Sequence, residues 1–148
     1  MQLVLDLATI LCVGLMVGVE LSVSAFVNPV VNRLEPQAEA EAARLFARRL
    51  GAAMPFWYVL SFLLILAEAV SRRSQPGLAL IVAAAVIWAA VIVFTLLLLV
   101  PINNRIAQSN AAVSPEDLRR DRVRWDARHR WRIAALAAAM LCLLAGMF

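Results

Sequence analysis

Four apolar stretches, at residues 3–27, 52–70, 78–100 and 131–148, constrain this chain more than any other feature. Each approaches the roughly 20 residues that carry a helix across the hydrocarbon core of a bilayer. A chain of 148 residues that is 64% hydrophobic has too much surface for its volume to hide that apolar content from water. In lipid the difficulty disappears. The expected fold is all-α: a four-transmembrane-helix bundle forming one domain over residues 1–148. The first stretch begins Met-Gln-Leu-Val-Leu-Asp, without a positive charge or a clean small-residue cleavage site after it, so it is expected to be a retained membrane helix.

The connections carry their own helical signals. Asn28–Gly51 opens with Asn-Pro and becomes rich in Ala, Glu and Arg from Gln37, good helix formers. Pro36 suits a first helical turn. An amphipathic helix is expected here, lying at the interface or leading into the second span. Ser71–Gly77 reads as a tight turn. In the third connection, Ser114-Pro115-Glu116-Asp117 is a helix start, with a capping serine and a proline in the first turn. No breaker follows until Gly146, so one long extended helix is expected from about 115 to 147.

All fourteen basic residues are arginine, and twelve of them lie in the first and third connections. Basic residues beside spans favour the cytoplasmic side. The expected topology is therefore an inner-membrane protein with both long connections cytoplasmic and both termini outside. The same rule accounts for the net charge of +4 without nucleic acid as a partner. The two cysteines, Cys12 and Cys142, sit inside apolar runs and read as small buried hydrophobes. Gly14 and Gly18 have the spacing that permits close helix approach, within the bundle or in a homo-oligomer.

Ionisable groups inside a span are costly and usually face protein or water. Glu20 falls about two turns from the end of the first span, with Ser24 and Asn28 below it at helical spacing. Pro101-Ile102-Asn103-Asn104 ends the third span, where amides can cap the helix or form a site. Trp125, His129 and Arg132 stand at i, i+4 and i+7, so they share a helix face; Trp131 reads as an interfacial anchor. Glu20, Asn28, Asn103, Asn104, His129 and Arg132 all fall at one end of their helices, and a bundle would gather them into a single polar pocket. Glu68 and Asp6 fall at the other end and read as interfacial charges.

These motifs resemble the anthrone oxygenase-like family of four-span membrane proteins. The resemblance rests on Glu20 with Phe26-Val27-Asn28-Pro29, on Pro101-Ile102-Asn103-Asn104, and on Trp125, His129 and Arg132 in that order. It implies oxidation of an apolar polycyclic aromatic or polyketide-like substrate by molecular oxygen. Such chemistry needs a base and a group that stabilises an oxyanion. His129 is the candidate base, assisted by Glu20, with Arg132, Asn103 or Asn104 on the anion. Trp125 and Phe26 would stack on the substrate, and Asn28 would line the pocket. The sequence requires no cofactor. A copper or iron ion on His129 and Glu20 stays open, although oxygen-activating iron commonly uses two histidines and a carboxylate. Two other classes stay open as well: a non-catalytic ligand-binding or scaffold protein in the membrane, and a small proton-coupled exporter using Glu20.

Overall fold

The computed structural model describes residues 2–109 and 114–148; residues 110–113 of the third connection lie outside it. Four helices, α1 (Gln2–Val31), α2 (Pro36–Ser71), α3 (Leu78–Gln108) and α4 (Pro115–Met147), are each long and apolar enough to cross a membrane. They run alternately up and down. Each packs on its neighbours in the chain, α4 returns beside α1, and among the described residues the backbones of α1 and α3 stand apart, diagonally opposed. No strand is present among the described residues.

The helices outrun the apolar stretches, and three boundaries move. The amphipathic segment and the second span form one rod of 36 residues, α2. α1 continues past residue 27 and α3 past residue 100, straight through Pro29 and Pro101. A proline ring lacks the N–H and clashes with the carbonyl four residues back, which ordinarily breaks a helix. Here each proline lies two residues beyond a five-residue π-helical segment, Val23–Val27 in α1 and Thr95–Leu99 in α3. The wider turn re-spaces the hydrogen-bond ladder, so the rod goes on past the proline. α3 finally ends at Gln108, where arginines of α2 take the last carbonyls: Arg48 Nε donates to Ala107 O at 3.0 Å and Arg44 Nη1 to Ser109 O at 3.4 Å. Asn103 and Asn104 are therefore inside the helix and do not cap it. α4 starts as its sequence implies, with the Asp117 N–H donating to Ser114 Oγ.

The interior of the bundle is a continuous cluster that includes Val13, Met16, Ile65, Ile81, Trp88, Leu136 and Leu143. Outside it, Leu3, Leu7, Leu11 and Leu15 follow one another at single-turn spacing and are all exposed. An apolar stripe of that extent would aggregate in water; in lipid it is the solvated face. Trp131 is also exposed. A smaller core at the arginine-rich end joins Ala43, Ala47, Ile102 and Ile106 to Leu118 and Trp125.

At the opposite end Glu68 is completely buried, which corrects its reading as an interfacial charge. Its Oε1 accepts from Thr9 Oγ1 and its Oε2 from Gln2 and Arg72, each at 3.2 Å. Arg72 also pairs with Asp6 at 2.9 Å and donates to the carbonyl of Met147 at 3.0 Å. One guanidinium thus ties together α1, α2 and the end of α4. Beside it the backbones of Gly77 and Gly146 touch: a Cβ on Gly77 would lie 2.0 Å from Gly146 O, and one on Gly146 would lie 2.7 Å from Ile81 Cγ1. Gly14 lies against Met140 of α4, whereas nothing lies within 4 Å of a Cβ on Gly18.

Gly77→Ala and Gly146→Ala are each expected to cost about 1–3 kcal/mol through overpacking, and Gly18→Ala less than about 0.5 kcal/mol. Thermal unfolding of the three variants in detergent checks this; a Gly77→Ala midpoint equal to that of the natural chain would rule out the close contact.

Candidate functional site

Glu20 is 2% exposed, on the inner face of α1, three residues before the π segment begins. Isolated, its carboxylate would be very costly there, and both oxygens are answered. Arg132 of α4 donates Nη2 to Oε2 at 2.6 Å, and Tyr58 of α2 donates its hydroxyl to Oε1 at 2.9 Å. The Arg132 guanidinium lies over the Tyr58 ring, 5.5 Å from its centre, which adds a cation–π contact. Trp88 of α3 donates Nε1 to the Tyr58 carbonyl at 3.1 Å. Three helices thus meet at one carboxylate, and the fourth holds the backbone of Tyr58.

His129 lies one turn before Arg132 with no exposed surface. Its Nε2 is 3.2 Å from the backbone carbonyl of Glu20. A carbonyl only accepts, so Nε2 carries the proton. Nδ1 then holds the lone pair and accepts from Arg132 Nη2 at 2.9 Å. The imidazole is neutral, and one guanidinium nitrogen serves both Nδ1 and Glu20 Oε2, which stand 3.2 Å apart. The buried Nε of Arg132 has no partner among the described residues, and the same is true of Thr95 Oγ1 in the π segment of α3.

Trp125 stacks on the His129 ring, with centroids 4.4 Å apart and planes inclined by 23°. Trp125 also lines a cavity of about 480 Å³, which His129 does not line. Val23, Val27 and Val31 of α1 with Phe46 and Leu50 of α2 give it an apolar wall. Its polar wall is α4, carrying Arg119, Arg122, Asp126 and Arg130, with Asn28, Asn103 and Glu39 at the edges. Asn28 Nδ2 donates to Asp126 Oδ1 at 2.9 Å, and Arg130 pairs with Asp126 at 2.8 Å. Arg122 pairs with Glu39 and donates to Asn32. Asn103 Nδ2 donates to Ala47 O at 3.0 Å, against Gly51, where a Cβ would lie 2.8 Å from that nitrogen.

The single polar pocket expected from sequence is therefore two compartments. Glu20, His129 and Arg132 form a closed cluster; Asn28 and Asn103 belong to the cavity; Trp125 stacks on the first and lines the second. Asn104 is exposed and Phe26 is 69% exposed, and neither lines the cavity: the helix places both on outward faces. The residues that sequence reasoning missed are Tyr58, Asp126 and the cavity arginines. Tyr58 did leave a signal, because a chain's single tyrosine inside an apolar run needs a partner for its hydroxyl.

The pair His129 and Glu20 does not fit a metal ion as arranged, because the position between their donor atoms is filled by Arg132 Nη2. Among the described residues no three His, Cys, Asp or Glu side chains converge.

The anthrone oxygenase family matches residues 42–142, about two thirds of the chain, and the match takes in Tyr58, Asn103, Trp125, His129 and Arg132. This chain belongs to the anthrone oxygenase family. Glu20 and Asn28 precede the matched residues, and it is the bundle that brings Glu20 to His129 and Arg132 and Asn28 to Asp126. No curated protein and no solved structure matches the chain.

In this member of the anthrone oxygenase family, removing one side of a buried ion pair strands the other. Glu20→Ala is expected to cost about 3–5 kcal/mol and Tyr58→Phe about 1.5–3 kcal/mol. Glu20→Leu combined with Arg132→Met should recover most of the loss. Unfolding midpoints in detergent check this, and a double variant no more stable than Glu20→Ala would contradict the pairing.

Proposed function

We propose that the chain is a membrane-embedded oxygenase that converts an apolar polycyclic aromatic of the anthrone type to a quinone with molecular oxygen. The observation that carries the reading is the position of Trp125, which both stacks on the buried His129 and lines the cavity. The apolar wall of α1 and α2 suits flat, poorly soluble rings.

In this reading the substrate enters the cavity and stacks on Trp125. The methylene carbon opposite the anthrone carbonyl is acidic, because its anion is a delocalised phenolate. His129 takes that proton on Nδ1. For this Arg132 Nη2 must leave Nδ1 and stay with Glu20, where its contact is already the shorter, 2.6 against 2.9 Å, and Trp125 must turn aside. Arg132 Nε, buried and without a partner among the described residues, is the donor we assign to the developing oxyanion. The electron-rich anion reduces oxygen directly: the methylene carbon loses two hydrogens, one oxygen atom becomes its carbonyl, and the other leaves as water. Glu20 and Tyr58 hold Arg132 in place. By the charge rule the arginine-rich end faces the cytoplasm and the Glu68 end faces outward.

A second reading, ligand binding without turnover, is favoured by the complete burial of His129 and by the engagement of both its nitrogens. For the exporter reading, Glu20 has no unoccupied oxygen with which to exchange a proton for a drug.

Oxygen uptake with an anthrone substrate separates the two. Under the oxygenase reading His129→Ala should lose about 100-fold or more in kcat while the protein still folds. Trp125→Ala should raise KM more than Trp125→Phe does. Undiminished oxygen consumption by a folded His129→Ala variant would sink the catalytic role.

A further inference from the structure

Two buried polar side-chain atoms, Arg132 Nε and Thr95 Oγ1, have no partner among the described residues, and the helices bring them to one level. Thr95 is the polar member of the inward stripe of α3, whose neighbours Trp88, Val91, Leu99 and Ile102 are buried and apolar. The Gly77–Gly146 contact sets the register of α3 against the antiparallel α4. Thr95 follows Gly77 by as many residues as Arg128 precedes Gly146, so with an equal rise per residue Thr95 stands level with Arg128 and His129. The Arg132 side chain leans back toward the start of its helix and reaches the same level, since its Nη2 meets His129 Nδ1 at 2.9 Å. Arg128 Nη1 donates to Leu98 O at 2.9 Å, so α4 packs on the π segment of α3 at this height. Thr9 of α1 shows the usual course for a helical threonine, returning its hydroxyl to Leu5 O at 2.8 Å. Thr95, where the π segment begins, makes no such bond.

Buried polar groups are as a rule hydrogen-bonded, because a bare one forfeits its solvation. Nε–H only donates, whereas a threonine hydroxyl donates and accepts. A single oxygen atom answers both. Charge decides which kind of oxygen. Glu20 is negative, Arg132 positive and His129 neutral, so the closed cluster carries no net charge and suits a neutral oxygen, that of water. Once His129 holds a substrate proton the cluster is positive, and the same place suits an anionic oxygen.

We propose that Arg132 Nε and Thr95 Oγ1 form one oxygen-binding site inside the closed cluster, taken by a water at rest and by the substrate oxyanion in turnover, with Thr95 as the second oxyanion donor. The role in turnover rests on the oxygenase reading; the water site does not. In the step concerned the methylene C–H bond breaks and its proton goes to His129 Nδ1. The electron pair moves through the ring onto the anthrone oxygen, which displaces the water and accepts from Nε and from the Thr95 hydroxyl. Two donors from different helices fix that oxygen in direction as well as in distance.

The test uses the full chain in phosphatidylcholine nanodiscs and two variants of Thr95. Thr95→Val removes the hydroxyl and keeps the shape; Thr95→Ser keeps the hydroxyl. The water is read by nuclear Overhauser transfer from a long-lived water to the Arg132 Nε proton, whose resonance is assigned by its loss in Arg132→Lys. The natural chain and Thr95→Ser should show the transfer. Thr95→Val should lose it, because a buried water needs at least two polar partners. With an anthrone substrate Thr95→Val should lower kcat about 100-fold and leave KM nearly unchanged, as loss of a donor used only in the transition state does. Thr95→Ser should stay within about threefold of the natural kcat. Absence of the transfer in the natural chain, or a transfer that survives Thr95→Val, would overturn the shared site. Natural turnover by a folded Thr95→Val variant would overturn the oxyanion role. If the natural chain binds an anthrone without consuming oxygen, the oxygenase reading fails by itself, and the water transfer alone decides whether the site exists.

Discussion

A carboxylate inside a lipid-embedded bundle is tolerable only if cations and donors reach it from other helices, because an unpaired buried charge costs several kcal/mol after relaxation. Glu20 imposes that condition here. Arg132 must come from α4, Tyr58 from α2, and Trp88 of α3 secures Tyr58 through its carbonyl. Satisfying one group fixes the rotation of four helices about their own axes. The apolar surfaces cannot do this, since lipid tails solvate leucine as well as another helix does. His129 is part of the same arrangement: its tautomer is dictated by the Glu20 carbonyl and its lone pair is held by the guanidinium that Glu20 recruits.

The two ends of the bundle solve the same electrostatic problem to different effect. At one end Arg72 is surrounded by Asp6, Glu68, Gln75 and the carbonyl of Met147, and the Gly77–Gly146 contact closes the backbone over it. That end is a clamp. At the other end the helices run beyond the apolar spans, and their charged extensions stand apart far enough to enclose a cavity of about 480 Å³. α1 and α3 continue past Pro29 and Pro101, each just after a π segment, and so carry Asn28 and Asn103 on helical cavity walls.

Trp125 connects the two compartments of that end. It lines the cavity and stacks on His129, so whatever occupies the cavity is one aromatic layer from the buried cluster.

Hydropathy was sufficient for the four helices, because a run of apolar residues matched to bilayer thickness has one low-energy arrangement. The capped start of α4 and the shared face of Trp125, His129 and Arg132 were equally legible, since both depend on neighbours within one helix. Glu68 shows where such reasoning stops. Its height in the span was readable, but its burial was not, because its partners Thr9 and Gln2 lie on another helix. Tyr58 as the partner of Glu20, the shielding of His129 by Trp125 from the cavity, and the outward turn of Phe26 were likewise invisible. The sequence by itself determined the number, length and polar faces of the helices, which are properties of single segments. Only the tertiary structure decided which faces meet, and so which charges are answered and which cavity remains, because those depend on how four rigid rods rotate against one another.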